Sequence, residues 1–88
     1  MSTAKTTTDH KTIKKWAEAR DGHPAIIRHG HEGGILRIDF GEQEENLEPI
    51  SWDEFFKIFD ENQLDFLYQD KTDGGKESRF NKFVNRQH

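Results

Sequence analysis

An amphipathic segment over residues 51–61 constrains the fold more than any other part of this sequence. Ser51 is a favourable N-cap, and Glu54, three residues later, completes a capping box. At helical spacing the aromatic residues share one side: Trp52, Phe55, Phe56 and Phe59. The other side carries the charged residues Asp53, Glu54, Lys57, Asp60 and Glu61. The segment therefore predicts a helix whose aromatic side covers the hydrophobic core.

A second helix is predicted from Asp9 to about Arg20. Asp9 is a plausible N-cap, and the apolar side consists of Ile13, Trp16 and Ala17. Gly22 stands where a left-handed helix terminator is expected, and Pro24 prevents the helix from continuing. Trp16 lies on this apolar side and Trp52 lies on the aromatic side of residues 51–61, so both tryptophans are expected in the core.

Three short segments have the composition of strands. Residues 25–29 and 35–40 are rich in β-branched residues and flank the glycine-rich loop HGHEGG. In the third, apolar residues alternate at Leu64, Phe66 and Tyr68. Residues 70–75 (DKTDGG) form a turn. Residues 78–86 carry apolar side chains at helical spacing, which predicts a short final helix, with a hairpin return strand as the alternative.

The order of elements is α-β-β-α-β-α, which predicts a small two-layer α+β sandwich. A three-stranded antiparallel sheet would pack on one face against two or three helices. Short connections favour pairing of the first two strands, and the partner of the third is left open. Residues 1–8 are small and polar, so we expect a disordered lead-in followed by a single domain over residues 9–88.

Composition restricts the class of protein. The chain of 88 residues has no cysteine, which removes disulfides, thiolate metal sites and a cysteine nucleophile. It has no apolar run of the roughly 18 to 20 residues that a membrane span needs, and its first residues lack an export signal. We therefore expect a cytoplasmic protein without a membrane partner.

Charge is distributed unevenly along the chain. The formal net charge is −4, and residues 39–65 contain ten acidic residues against one basic residue, Lys57. This block predicts a non-catalytic interaction or accessory module that uses an acidic surface to bind a basic partner protein. The expected contacts are Glu42, Glu44, Glu45, Glu48, Asp53, Glu54, Asp60 and Glu61. Ordinary solubility explains the same block almost equally well.

Nucleic-acid binding by the two basic ends is the alternative. It requires the first and last helices to pack side by side, so that their cations form one face. These cations are Lys11, Lys14, Lys15, Arg20, Lys76, Arg79, Lys82 and Arg86. If these cations are scattered over the surface, the hypothesis of nucleic-acid binding is excluded.

The sequence contains no catalytic motif that we can name, and no cofactor is expected. His29 and His31, beside Glu32, are weak candidates for metal ligands, because a site would need a further ligand from elsewhere. A solvated hairpin tip is the simpler interpretation. Phosphate binding by Lys76, Ser78 and Arg79 at the start of a final helix is a minor possibility.

Three segments resemble a family of short, uncharacterised bacterial proteins. They are HKTIKKWAEARDGHPA (residues 10–25), ISWDEFFKIFDENQLDFLYQD (50–70) and SRFNKFVNR (78–86), which together cover most of the chain. Members of that family often carry the name 1,4-alpha-glucan branching enzyme. Such enzymes use a barrel of roughly 250 residues, with a catalytic aspartate and glutamate that match no position here. The resemblance implies a shared small fold, and a carbohydrate-related activity is the disfavoured third hypothesis.

Overall fold

The structure is a computed structural model that describes residues 4–28, 34–41, 46–72 and 74–86. Within these residues two helices and two three-stranded antiparallel sheets form a small α+β fold. The elements in chain order are β1 (Lys5–Thr7), α1 (His10–Glu18), β2 (His23–Arg28), β3 (Gly34–Asp39), β4 (Leu47–Pro49), α2 (Trp52–Glu61), β5 (Leu64–Tyr68) and β6 (Asn81–Asn85). The predicted α+β class is confirmed, whereas the predicted single sheet is wrong.

Helix α2 forms as its sequence predicts. Ser51 is the N-cap, and its Oγ accepts a hydrogen bond of 3.1 Å from the backbone N–H of Glu54. Phe55 and Phe59 are fully buried and Phe56 is nearly so. Their rings contact one another and Phe83, so this helix supplies the centre of the core.

Helix α1 begins as predicted and ends differently. The Asp9 carboxylate accepts hydrogen bonds from the backbone N–H (2.9 Å) and the hydroxyl (2.6 Å) of Thr12. The left-handed residue after the helix is Asp21, with φ of 59°, so the prediction for Gly22 is wrong. Gly22 matters for space instead, because a Cβ there would lie 2.6 Å from Ile38 Cγ2 and 2.9 Å from Phe40 Cε1.

The first sheet has the order β3-β2-β4. Strands β2 and β3 are antiparallel neighbours, as predicted, with Ile26 opposite Leu36 on the buried face. Strand β4 pairs with the other edge of β2 and places Leu47 opposite Ile27. The sequence analysis did not identify β4, because three residues that include a proline carry no strand pattern.

The second sheet has the order β1-β5-β6 and corrects two predictions. Lys5–Thr7 is a strand paired with β5 rather than part of a disordered lead-in. Asn81–Asn85 is also a strand, so the final helix is wrong and the hairpin return strand is right. Pairing with β5 sets Phe83 opposite Phe66, with ring centroids 5.4 Å apart, and this buries Phe83 against the core.

Both sheets lie on the same side of α2. This helix contacts β2 and β3 of one sheet and β5 of the other. Its polar residues Asp53, Glu54, Lys57, Asp60 and Glu61 are all exposed, so no second sheet covers its outer side. The shortest extent of the molecule is 19 Å, which matches two layers of about 10 Å each. Helix α2 therefore packs against strands of both sheets.

Candidate functional site

A groove of about 420 Å³ lies between the two sheets. One wall is β3 with the residue that follows it, the opposite wall is β6 with Arg79 before it, and Leu47 of β4 also lines the groove. Each of these strands is at the edge of its sheet. The volume falls within the roughly 300 to 1,000 Å³ that is usual for binding sites. The groove is therefore large enough to be considered as a site.

The groove follows the edge of β3. Its wall includes the six consecutive residues 35–40. Successive side chains of a strand point to opposite faces of the sheet, so a groove on one face would contact only every second residue. Contact with all six means that the backbone edge itself lines the groove. The three consecutive residues 81–83 place the edge of β6 on the opposite wall.

The hydrogen bonds of β6 show which of its backbone groups face the groove. Gln69 N–H donates to Phe80 C=O at 3.3 Å, so the backbone groups of Phe80 point to the neighbouring strand β5. Backbone groups alternate in direction along an antiparallel strand. Those of Lys82 therefore also point to β5, and the N–H and C=O of Asn81 and Phe83 point to the groove.

The alternation of backbone groups also shows which groups of β3 face the groove. Ile50 N–H donates to Pro24 C=O at 3.1 Å, so Pro24 turns its backbone to β4. The next residue of β2 therefore turns to β3, where its partner is Arg37. It follows that Leu36 and Ile38 turn their N–H and C=O away from β2 and into the groove. Within the described part of the chain, no hydrogen bond reaches these groups of Leu36 and Ile38.

The side chains around the groove are apolar and mainly cationic. The apolar lining includes Ile35, which is 52% exposed, and Phe40. Three cations line the groove, namely Arg37, Arg79 and Lys82, against one described carboxylate, Asp39. The Arg79 guanidinium lies 5.4 Å from the centre of the Phe40 ring. The described lining therefore suits a ligand that carries both negative charge and apolar surface.

The acidic residues predicted to bind a partner are partly neutralised within the fold. The Arg28 guanidinium contacts the Glu48 carboxylate at 2.8 Å and the Glu54 carboxylate at 3.5 Å. The hydrogen bond that Arg28 donates to Glu48, followed by the negative charge of Glu48, raises the pKa of Arg28. These contacts link β2 to β4 and α2, so Glu48 and Glu54 already have a charge partner within the fold.

The other acidic residues predicted to bind a partner differ in whether they form ion pairs within the fold. Asp60 lies 2.9 Å from His10 Nε2 and 3.5 Å from Arg86 Nη2. Asp53 and Glu61 are exposed and form no ion pair with another described residue. The remaining predicted contacts lie outside the described residues: Glu42, Glu44 and Glu45. The described part of this surface therefore offers two unengaged carboxylates.

Arg20, a predicted nucleic-acid contact, is an internal residue. It is only 8% exposed, and its guanidinium donates to three backbone carbonyls, those of Ser78, Trp16 and Asp70. It also stacks on the Trp16 ring at 4.4 Å. Trp16 is buried as predicted, and its Nε1–H donates to Gln69 C=O at 3.1 Å. Arg20 thus joins the end of α1 to the chain between β5 and β6.

The other predicted cations fall into separate groups. Arg86 donates from Nε and Nη2 to Leu64 C=O, at 3.1 and 2.9 Å. Arg79 and Lys82 line the groove. Exposed lysines on α1 are Lys11, Lys14 and Lys15, and Lys76 is exposed near the turn before β6. Because residues 81–85 form a strand, the pair of terminal helices that this hypothesis requires does not form.

The metal candidates His29 and His31, with Glu32, lie outside the described residues. Across residues 4–28, 34–41, 46–72 and 74–86, no group of three His, Asp or Glu side chains is placed to hold a metal ion. In those same ranges, no helix is both long enough and apolar enough to cross a membrane.

Comparisons with protein-family models, with curated proteins and with solved structures found no match to this chain. The family resemblance of the sequence and its implications therefore stay predictions.

The sequence analysis did not identify the groove. The sequence patterns assign residues 35–40 to a strand and place Arg79 and Lys82 on a terminal helix, so they do not bring these two segments together. The one local signal is Ile35, because an isoleucine in line with Arg37 and Asp39 places a large apolar side chain on the outer face of the sheet.

Proposed function

We propose that this protein is a non-catalytic interaction module that binds an acidic and partly apolar segment of a partner protein. The groove between β3 and β6 is the binding site. The observation that carries the proposal is the convergence, along one groove of about 420 Å³, of the cations Arg79 and Lys82 with an apolar wall and two strand edges.

The chemistry of the groove supports a protein ligand of this kind. Arg79 and Lys82 attract carboxylates, and the attraction weakens as salt screens it. Ile35 and Phe40 offer apolar surface, whose burial contributes roughly 25 cal/mol per Å² before the entropic cost of binding. A segment that carries both carboxylates and apolar side chains gains from the electrostatic attraction and from the burial of apolar surface.

The outer side of α2 is a second candidate interface. Asp53 and Glu61 are exposed there without an ion pair to another described residue, and this favours contact with a basic partner. The two proposals differ in the charge of the partner, so one experiment separates them.

Fluorescence anisotropy of two labelled heptapeptides provides the test. One peptide alternates glutamate and valine, and the other alternates lysine and valine. We expect the acidic peptide to bind more tightly, with an affinity that falls as salt is raised. Lys82→Glu should weaken its binding about tenfold, corresponding to about 1.4 kcal/mol. Lys57→Glu makes the same charge change on the exposed side of α2 and should alter the affinity less than about twofold.

Equal losses in the two variants would contradict a specific groove, since they would reflect net charge alone. Binding of only the basic peptide, lost in an Asp53→Lys/Glu61→Lys variant, would replace the groove with the α2 surface. Absence of binding by either peptide would overturn both proposals.

A further inference from the structure

We infer that the bound segment is an added β-strand that pairs with the free edge of β3. This inference rests on the proposed function and extends it, because it specifies the conformation of the ligand and the pattern of its side chains. A ligand that is bound only through its charge needs neither an extended conformation nor an alternating pattern of side chains.

The backbone of β3 provides the pairing groups. Leu36 and Ile38 turn their N–H and C=O into the groove, and within the described residues these groups have no partner. Alternate residues of a strand are about 6.6 to 6.8 Å apart, so an extended ligand can meet both positions in register. An unpaired strand edge is a template for another strand, and addition of a peptide strand is a common recognition mode.

The pairing is assigned to β3 because the groove follows this strand from Ile35 to its last residue, Asp39. Residues 35–40 all line it, whereas β6 contributes only residues 81–83 to the opposite wall. Five residues of strand span about 17 Å, which sets the length of the paired segment at about five residues.

The two faces of the sheet layer predict an alternating ligand. Leu36 and Ile38 direct their side chains toward the helices, where Phe83 also packs, so ligand residues on that side meet apolar groups. Lys82 is exposed on the opposite face of β6, and the opposite face of β3 carries Ile35, Arg37 and Asp39. A strand added beside β3 has the same alternation. The preferred segment therefore alternates apolar and acidic residues.

Backbone N-methylation of the acidic heptapeptide tests the inference. A methyl group on nitrogen removes one donor and blocks one strand pairing, while charge and side chains are preserved. A series of peptides is made, each methylated at one residue. We expect losses of about tenfold or more at alternate interior residues, since each lost hydrogen bond contributes about 1 kcal/mol and the methyl group adds a steric clash. Methylation at the residues between them should reduce the affinity of the peptide by less than about threefold.

A heptapeptide of the same composition, with its glutamates and valines in separate blocks, is the control for net charge. It should bind at least about fivefold more weakly than the alternating peptide, because the apolar and acidic sides no longer separate.

The outcomes distinguish the inference from the proposed function. If the alternating peptide binds and Lys82→Glu weakens it, but methylation has the same effect at every residue or none at any, strand addition is wrong and the groove proposal stands. If the unmethylated peptide does not bind, the proposed function fails and the inference fails with it. A period-two pattern of losses supports both.

Discussion

The helix side of the sheets and the groove between their edges differ in how fully their polar groups are engaged. On the helix side, no buried side-chain nitrogen or oxygen of the described residues lacks a hydrogen-bond partner. Arg20 alone satisfies three backbone carbonyls there. In the groove, the N–H and C=O of Leu36 and Ile38 have no described partner, and Ile35 is 52% exposed.

The difference indicates that one set of residues determines the stability of the fold and another set determines binding. A change on the helix side creates a cavity or leaves a buried group unpaired, and both are strongly destabilising. A change to an exposed side chain of the groove, such as Arg79 or Lys82, affects a group that already contacts solvent, so it should alter binding while the free energy of unfolding stays nearly constant. The predictions below test this division, beginning with the largest effect.

The largest effect is expected from Phe55→Ala. Phe55 is fully buried at the centre of the core, and such a truncation costs about 3 to 5 kcal/mol. Urea unfolding followed by tryptophan fluorescence measures the change. Phe80→Ala removes the same ring from a position that is 47% exposed and should cost less than about 1 kcal/mol. Equal costs for the two variants would show that the core is assigned wrongly.

Arg20→Met should cost about 3 kcal/mol. The substitution keeps much of the apolar stem but leaves the carbonyls of Trp16, Asp70 and Ser78 without this donor, at about 1 to 3 kcal/mol for each buried group. Lys15→Met, on the exposed side of α1, is the control and should stay within about 0.5 kcal/mol. A similar free energy of unfolding for both variants would place Arg20 at the surface.

Gly22→Ala should cost about 1 to 3 kcal/mol, because the new methyl group overlaps the side chains of Ile38 and Phe40. Gly74→Ala is the matched control, since its nearest contact is Thr72 Oγ1 at 3.8 Å. It should change the free energy of unfolding by less than about 1 kcal/mol. A neutral Gly22→Ala would mean that the end of α1 packs more loosely against β3.

The smallest effect concerns the cap of α1 and depends on pH. Hydrogen bonds from the hydroxyl and then the backbone N–H of Thr12 lower the pKa of Asp9. Its stabilisation is therefore present above the ordinary aspartate pKa of about 3.9 and is lost as the pH falls through the lower folded value. The difference in Tm between the native protein and Asp9→Ala should shrink over that range.

Asp9→Asn is the control for the cap, because an amide oxygen accepts the same backbone hydrogen bond and does not titrate. Asp9→Asn should exceed Asp9→Ala in Tm by an amount that does not change in the same pH range. A constant difference between the native protein and Asp9→Ala would contradict titration of Asp9 as the cause.

Local patterns in the sequence predict the helices and the central strands. The caps Asp9 and Ser51 and the stripe that contains Phe55 lie within single turns, so they can be found without tertiary information. The final segment could not be assigned in this way, because its spacing of apolar residues suits a helix and a strand. Contact of Phe83 with Phe66 on β5 selects the strand.

The groove could not be predicted for a related reason. Its walls come from two hairpins that are far apart in sequence, and their edges come together only when both sheets pack against α2. Arg20 likewise has the sequence context of a surface cation at a helix end. Its burial depends on carbonyls of Asp70 and Ser78, which no local pattern connects to it.

Amide hydrogen exchange at Leu36 and Ile38, measured by NMR with and without the alternating acidic heptapeptide, tests the central claim most directly. The amides of Ile35 and Arg37, which turn to β2, provide the reference in the same strand. We predict that Leu36 and Ile38 exchange rapidly in the free protein and slow by about tenfold or more in the complex, while the reference amides stay slow throughout. Slow exchange at Leu36 and Ile38 in the free protein, or no slowing on saturation with the peptide, would contradict an open strand edge that binds a partner.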